Sequence, residues 1–173
     1  MALADLAMTD DTKRLDALRG YGILDSPNEP EFDAIVRAAA EALHTPIALI
    51  SLLDEHRQWF KAKVGLTVAE TPLSISFCTH AVKGGGVFEV SDAREDARFR
   101  NNPLVTSDPN LRFYAGAPLT TADGVRIGTL CVIDQQPRDK ISDRDRAKLI
   151  RLADRVMTLL EARKRRGEAI CLK

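Results

Sequence analysis

The chain has 173 residues, 25 basic and 25 acidic side chains, and 45% hydrophobic residues. This length suits one domain with short appendages, and the apolar fraction excludes an intrinsically disordered chain. The balanced charge argues against a surface that binds nucleic acid or anionic lipid over its whole extent. The densest apolar run, Ile47 to Leu53, is far shorter than the roughly 20 residues of a membrane-spanning helix.

The cysteines indicate the redox environment. Cys78, Cys131 and Cys171 stand at irregular spacing, and an odd number without a pattern does not indicate a disulfide framework. The N-terminal residues include Asp5 and Asp10 and have no basic start of the kind that a secretory signal carries. We therefore expect a reduced, cytoplasmic protein that is not associated with a membrane.

Two helices are predicted at the start of the chain. Leu15 and Leu18 mark the apolar stripe of a helix from about Asp10 to Arg19, with Thr9 as its candidate N-cap. In a second helix, from about Glu31 to His44, the apolar residues again recur at helical spacing.

Two strands and a connection follow. The nearly continuous apolar run from Ile47 to Leu53 predicts a central strand covered on both faces. From Arg57 to Val64 apolar and polar residues alternate, which predicts a half-buried strand paired to the first. The apolar members of this alternation are Phe60, Ala62 and Val64. Residues 65–76 have little periodicity and are predicted to form a long connection.

The second half of the chain adds short elements, a hairpin and a long helix. Residues 77–83 predict two helical turns, and residues 92–105 predict a polar loop with a short helix. Further strands are predicted over residues 87–91, 112–120 and 125–133. Asp123-Gly124 favours the tight turn that joins the last two strands. The final helix begins at Ser142 in a capping box and ends near Arg166-Gly167.

The order of these elements predicts the fold class. Clustered strand pairs without regular βαβ alternation favour an α+β domain. We expect one central antiparallel sheet of five to six strands, with the N- and C-terminal helices packed on one face.

A set of short motifs carries a family resemblance over roughly residues 10–162. In chain order they are Arg14-Leu15, Tyr21 to Asp25, Phe32-Asp33, Pro46 to Asp54, Gln58 to Lys61, Ser74 to Cys78, Asn102 to Val105, Arg112 to Leu119, Asp123-Gly124 and Ile127 to Asp134. This ordered set resembles the GAF domain, a small-molecule sensory module of bacterial signalling proteins. The subgroup it resembles commonly precedes histidine kinases or diguanylate cyclases.

The resemblance implies a domain organisation and a binding site. It implies a single GAF domain over residues 10–166, with tails at 1–9 and 167–173 that cannot hold an output domain. A signal is therefore expected to pass to a partner chain. The resemblance also implies a GAF/PAS-like sheet with helices on one side and a ligand pocket on the other. The candidate ligand-binding residues are Ser76, Phe77, Cys78, His80, Asp92, Phe99 and Tyr114.

Tyr114, Phe99 and Asp92 are candidates because of their positions in the predicted elements. Tyr114 points opposite Phe113 on its strand, so one of the two faces the pocket side. Phe99 suits either the pocket or the core. Asp92 lies in a charged loop, where one carboxylate can reach a pocket and orient a polar ligand.

Cys78 also has a chemical interpretation. Cys78 and His80 lie two positions apart, and a thiolate beside an imidazole can be redox-active or bind metal. On a helix that spacing is about 200° of rotation, so the two side chains diverge. This favours a buried thiol and a separate polar imidazole, and Cys131 is expected to serve packing. Free methionine sulfoxide reductase is a GAF enzyme with cysteines in its pocket loops, but this sequence does not match its full cysteine pattern.

The zero net charge divides unevenly along the chain. Residues 143–166 include nine basic and four acidic side chains, a net charge of +5 that the remainder balances. The concentrated part, Arg163 to Arg166, suits a solvated helix end because cations are favoured at the C-terminal end of a helix dipole. Four basic residues without interleaved aromatics are a small footprint for nucleic acid, so no nucleic-acid partner is expected.

Three functions stay open at this point. The first is a small-molecule-binding sensory domain in which ligand binding orders residues 74–83 and 92–105 and shifts the terminal helices. The second is a dimerisation or interaction module without a ligand, and the third is a thiol-dependent reductase. The helices at 10–19 and 142–166 are the expected homodimer interface. No catalytic residue, metal site or cofactor is assigned, and the ligand and the output partner are unidentified.

Overall fold

The computed structural model describes residues 10–171, and the side chains of residues 10–167. The helices of this range are α1 (Asp10–Gly20), α2 (Pro30–Leu43), α3 (Cys78–Ala81), α4 (Pro103–Thr106) and α5 (Asp143–Cys171). The strands are β1 (Ile47–Leu53), β2 (Arg57–Val64), β3 (Glu70–Pro72), β4 (Phe88–Val90), β5 (Phe113–Thr120) and β6 (Arg126–Asp134). Short 3-10 turns lie at Leu73–Ile75 and Ala93–Glu95.

All six strands join one antiparallel sheet in the order β3-β2-β1-β6-β5-β4. The first strand lies in the middle of the sheet, because β1 pairs with β2 on one side and with β6 on the other. The predicted α+β class with one antiparallel sheet is confirmed.

Helix α2 shows how the sequence sets these elements. Pro30 stands in its first turn, where the fixed φ and the missing N–H of proline are tolerated. His44 ends the helix in the left-handed conformation, with a φ of 54°. The buried residues follow helical spacing: Phe32, Ile35, Val36, Ala39, Ala40 and Leu43. One apolar stripe of α2 consequently faces the sheet.

The long helices α1, α2 and α5 cover one face of the sheet. Leu18 of α1, Phe32 of α2 and Leu149 of α5 belong to one apolar core with Ile50 of β1 and Leu130 of β6. The predicted packing of the terminal helices on one face is confirmed.

The opposite face of the sheet carries a second core. Its sheet residues include Leu49, Phe60, Tyr114 and Ile133. The elements that cover it are short, because α3 and α4 have four residues each and the rest is loop. Phe113 lies in the helix-side core and Tyr114 in this second core, so the tyrosine faces the predicted pocket side.

The prediction of a half-buried β2 was wrong. The pairing shifts between Ile50 and Ser51, whose partners are Ala62 and Phe60, so Lys61 is the extra residue of a bulge. The bulge reverses the side-chain alternation, and Phe60 faces the second core while Ala62 packs on the helix side. Both faces of the strand are covered, and even Lys61 is only 1% exposed.

Two further boundaries differ from the sequence predictions. The connection over residues 65–76 contains strand β3, which pairs Arg57 to Trp59 with Pro72 to Glu70. Three paired residues are too few to give a periodic pattern. Helix α5 runs to Cys171 rather than ending near Gly167, because one glycine weakens a helix without stopping it. Thr9, the predicted cap of α1, lies outside the described residues.

In the part of the chain that the structure describes, no helix combines the length and the apolar character needed to cross a membrane.

Candidate functional site

Aromatic side chains gather on the second face of the sheet, and we call Phe77, His80, Phe88, Phe99 and Tyr114 the aromatic cluster. The rings of Phe77 and Phe99 stack with centroids 4.0 Å apart, and Phe77 meets Tyr114 at 5.4 Å. The ring of His80 approaches Phe99 edge-on at 4.8 Å. Four of the seven candidate residues thus lie together, and Phe88 joins them from β4 at 6.0 Å from Tyr114.

The aromatic cluster is packed rather than open. Phe77, Phe99 and Tyr114 are each at most 2% exposed. Gly116 makes room for the tyrosine, since a Cβ at this position would lie 2.4 Å from the Tyr114 hydroxyl. His80 is half-buried, and burial together with the charges of Lys83 and Arg98 lowers the pKa of its imidazole. These side chains fill the space in which the family resemblance implies a ligand.

A group of thiols and hydroxyls lies between the aromatic cluster and the sheet. Cys78 Sγ is 3.1 Å from Tyr114 Oη and 3.1 Å from Thr129 Oγ1. Burial raises the pKa of the Cys78 thiol, but hydrogen bonds with Cys131, Thr129 and Tyr114 outweigh it and lower that pKa below its ordinary value. The hydrogen bond with Cys78, together with burial, raises the pKa of Cys131.

Cys131 packs in the second core beside Cys78, in agreement with the packing role that its alternation on β6 predicts. Thr129 and Cys131 are two positions apart on one face of a strand, and only the fold brings Cys78 onto them. Cys78 and Cys131 are free thiols, at most 2% exposed. Both sulfur atoms are thus enclosed in the second core.

Ser76 and Asp92 hold the site together by hydrogen bonds. Ser76 Oγ donates to Gln58 Oε1 at 2.7 Å and accepts from the Cys78 amide at 3.0 Å, so it joins β2 to the start of α3. Asp92 accepts two hydrogen bonds from Arg112, both at 2.7 Å. The Arg112 guanidinium holds the pKa of the Asp92 carboxyl below its usual value.

An open cavity of about 360 Å³ adjoins this packed region on the same face of the sheet. Its apolar lining is Leu49, Phe60, Gly65, Leu66, Val68, Leu104, Pro109, Leu111 and Ile133. Its polar lining is Gln58, Thr67, Thr71, Asp108 and Gln135. Gln58 connects the cavity to the predicted site, because its amide nitrogen donates to Thr71 Oγ1 at 2.8 Å while its oxygen accepts from Ser76.

Gly65 allows the loop over this cavity to leave β2. It has a φ of +81°, and a Cβ there would lie 2.2 Å from the Pro46 carbonyl oxygen. The loop then folds back, and Lys63 Nζ donates to the carbonyls of Thr67 and Val68 at 3.1 and 3.0 Å. These contacts place Leu66 and Thr67 in the cavity wall.

In the described part of the chain, two of three clefts that are larger than this cavity are lined mostly by charged and polar groups. One, of about 1040 Å³, includes Asp10, Arg14, Glu55, Lys83 and Arg126. The other, of about 520 Å³ at the edge of β2, includes Asp25, Asp33, Arg37 and Lys63. Ligand pockets are mainly apolar with a few placed polar groups, which is the character of the 360 Å³ cavity.

Comparison with known families settles the relationship that the motifs indicated. The GAF domain family model matches residues 28–160. This chain is a GAF domain. The match spans α2, the sheet and most of α5, so both faces described above belong to the GAF fold.

One curated relative of this GAF domain is a cyclic di-GMP phosphodiesterase of Pseudomonas aeruginosa, 52% identical over 136 residues. The match covers 79% of this chain and 23% of the relative, so the chain spans about a quarter of that protein's length. The bacterial signalling context is thereby supported.

Solved structures agree with the fold. A GAF domain of a phosphoenolpyruvate-protein phosphotransferase from Coxiella burnetii superposes with a TM-score of 0.67 at 15% identity, over 92% of this chain and 99% of that one. Free methionine-R-sulfoxide reductase from Neisseria meningitidis superposes with a TM-score of 0.60 at 17% identity, over 93% and 95%. At these identities the likeness is one of fold.

The helix face of this GAF domain has a groove of its own. It lies between α2 and α5, measures about 690 Å³, and includes Ala38, Ala42, Leu152 and Leu159 among basic and acidic neighbours. In the described residues no group of three or more His, Cys, Asp or Glu side chains is placed to hold a metal ion.

Proposed function

We propose that this chain is a regulatory GAF domain that binds a small molecule in the 360 Å³ cavity and acts in signal transduction through a partner chain. Its family membership and its relationship to a cyclic di-GMP phosphodiesterase support the signalling role. The cavity carries the proposal, because it combines apolar walls and a few polar groups on the pocket side of the sheet.

Two routes lead from the cavity to other parts of the domain. Gln58 lines the cavity and accepts a hydrogen bond from the Ser76 hydroxyl. That hydroxyl in turn accepts a hydrogen bond from the Cys78 amide. A ligand that displaces Gln58 therefore perturbs the start of α3 and the aromatic cluster behind it.

The second route crosses β2 to the long helix. Phe60 lines the cavity, and the adjacent Lys61 pairs with Glu29 at 2.5 Å. Glu29 also accepts from Arg163 of α5 at 3.3 Å, and Arg163 donates to the Tyr21 and Gly22 carbonyls, each at 3.0 Å. A shift of β2 thus changes the ion pairs that hold α5 in place. Helix α5 is the element expected to contact a partner.

The proposal is tested by thermal-shift measurements on purified protein with cyclic di-GMP, cyclic mononucleotides, tetrapyrroles, amino acids and neutral aromatic compounds. A ligand that binds only the folded state stabilises it by mass action, so the melting temperature rises with the logarithm of the ligand concentration once that concentration exceeds the Kd. Leu104→Trp fills the cavity from its half-buried wall. Ile150→Trp adds the same ring on the exposed side of α5, where the isoleucine is 41% exposed.

We expect a stabilising compound that acts on the wild type and on Ile150→Trp but not on Leu104→Trp. Silence across all compound classes, or stabilisation that is equal in Leu104→Trp, would argue against the cavity as a ligand site.

The second candidate function, a dimerisation module, is favoured by the groove between α2 and α5. Its small and apolar residues lie on the exposed side of the helix layer, where a second copy can pack. Ala38→Arg places a long cation in this groove. Ala97→Arg makes the same change in an exposed loop on the other side of the sheet.

Sedimentation velocity distinguishes the two variants. We expect the wild type and Ala97→Arg to form dimers and Ala38→Arg to be monomeric. A monomeric wild type at micromolar concentration would remove this candidate.

A further inference from the structure

The lining of the 360 Å³ cavity is nearly free of charge. Among the described residues that line it there is no lysine, arginine or histidine. Its single ionisable side chain is Asp108, which is exposed at the mouth. The remaining polar groups, on Gln58, Thr67, Thr71 and Gln135, are neutral amides and hydroxyls.

Two cations on β2, close in sequence to lining residues, are already bound to protein oxygens. Lys63 holds the Thr67 and Val68 carbonyls. Arg57, next to Gln58, bonds the carboxylates of Asp25, Asp54 and Glu70 at 2.6–2.9 Å. None of these side chains lines the cavity, and each would have to give up its partners to meet a ligand.

An anion gains little in such an environment. Moving a charged group from water into apolar surroundings is unfavourable unless charge-assisted hydrogen bonds replace its hydration. Phosphates in proteins are met by arginine, lysine or helix N-termini. The single carboxylate at the mouth repels an anion further.

The lining of the cavity also changes from apolar at the floor to polar at the mouth. Leu49, Leu111 and Ile133 are at most 5% exposed and form its floor. Thr67, Asp108 and Gln135 are exposed and form its mouth. A ligand that matches this arrangement has an apolar body directed toward the sheet and a neutral hydrogen-bonding end near the mouth.

Building on the proposed function, we propose that the ligand is an uncharged, mainly apolar small molecule and that the cavity rejects phosphate- and sulfonate-bearing anions. The volume of about 360 Å³ lies near the lower end of the usual range for ligand pockets, about 300–1,000 Å³, which fits a compact ring system.

Two dyes that share one ring scaffold test this charge selectivity. N-phenyl-1-naphthylamine is neutral, and 1-anilinonaphthalene-8-sulfonate carries a sulfonate on the same scaffold. Each is titrated into the wild type while dye emission and quenching of Trp59 are recorded. Trp59 is the single tryptophan, and its neighbours Gln58 and Phe60 line the cavity. We expect the neutral dye to bind at least about tenfold more tightly, a difference of about 1.4 kcal/mol.

A matched pair of variants changes the charge at the mouth. Gln135→Arg places a cation on an exposed lining residue. We expect it to reduce the preference for the neutral dye over the sulfonate dye by about tenfold. Gln136→Arg adds the same cation at the next exposed residue, which does not line the cavity, and we expect the wild-type preference. Leu104→Trp, read by dye emission, is expected to abolish binding of the neutral dye.

The outcomes separate this inference from the function on which it rests. If the sulfonate dye binds the wild type as tightly as the neutral one and Leu104→Trp abolishes both, the ligand class is wrong and the ligand site stands. Equal effects of Gln135→Arg and Gln136→Arg also overturn the ligand class. If neither dye binds, or if binding persists in Leu104→Trp, both the ligand class and the cavity as a binding site are overturned.

Discussion

The two faces of the sheet differ in how they are covered. On the helix side, α2 and α5 supply 14 and 29 residues of regular structure, and their apolar stripes merge into one core. On the pocket side the longest helices have four residues, and the cover consists of turns held by side chains. Asn102, for example, donates to the Ile75 carbonyl at 3.0 Å and so links two loops. Short cover opens at lower cost than long helices, which suits a face that admits a ligand.

The first way to test this comparison is a large-to-small change on the helix side. Phe32 is 2% exposed, and the ammonium of Lys61 lies 5.3 Å from its ring centroid. We expect Phe32→Ala to lower the free energy of unfolding by about 4 kcal/mol, because the long helices cannot collapse into the cavity that is left. Urea denaturation measures this loss, and a loss below about 2 kcal/mol would contradict a rigid helix side.

The second test concerns the buried charge at the rim of the helix side. The Lys61 side chain is 0% exposed and pairs with Glu29, with Ser26 Oγ and the Pro27 carbonyl as further partners. Glu29→Gln removes the compensating charge, and we expect a loss of about 3 kcal/mol. Glu31→Gln, an exposed neighbour, serves as the control and should change the stability little.

Glu29→Gln should also change how the free energy of unfolding depends on pH. Burial raises the pKa of the Glu29 carboxyl, but the hydrogen bond and charge of Lys61, with the charge of Arg163, lower it below its usual value overall. A carboxyl with a depressed folded-state pKa adds stability at higher pH and loses it as the pH falls through that pKa. The wild type should therefore lose more stability than Glu29→Gln when the pH falls below about 4.3. Parallel curves for the two proteins would contradict this.

The third test applies the large-to-small change on the pocket side. Phe99 is 1% exposed and stacks on Phe77. We expect Phe99→Ala to cost about 2 kcal/mol, less than Phe32→Ala, because loops and four-residue helices can settle into the space. Hydrogen exchange should rise in residues 74–106 before it rises in β1 and β6. A cost equal to that of Phe32→Ala would mean that the two faces do not differ in rigidity.

The smallest effect is expected at the buried thiol. Cys78→Ser keeps a group that can hydrogen-bond Tyr114 and Thr129, so we expect a loss of about 1 kcal/mol. The variant also tests the thiol-reductase alternative. We expect no turnover of free methionine sulfoxide with a thiol reductant in the wild type, since the sulfur is enclosed. Turnover in the wild type that disappears in Cys78→Ser would restore that alternative.

Sequence periodicity predicted the elements with many residues and missed those with few. The spacing of Phe32, Ile35 and Leu43 was enough to locate α2, and the apolar run over Ile47 to Leu53 located β1. The bulge at Lys61 carries no local signal, so the side-chain orientation in β2 was reversed. Strand β3 is too short for a period to appear.

The candidate site was predictable in part. The motif around Ser76 to Cys78 located one side of the aromatic cluster, because the family resemblance places that segment over the pocket. The contacts of Cys78 with Thr129 and Cys131 span about fifty residues and appear only in the folded chain. The cavity is likewise assembled from Gln58, Leu104 and Gln135, which no local pattern connects.

The edges of the sheet have a consequence for self-association. Its outermost strands, β3 and β4, have three residues each, and β3 covers only the first part of β2. The rest of β2 has a bulge at Lys61 and an exposed lysine, Lys63. Short edge strands, bulges and lysines are the devices that prevent strand-by-strand growth between copies. These features of its edge strands protect the sheet against amyloid-like stacking between copies.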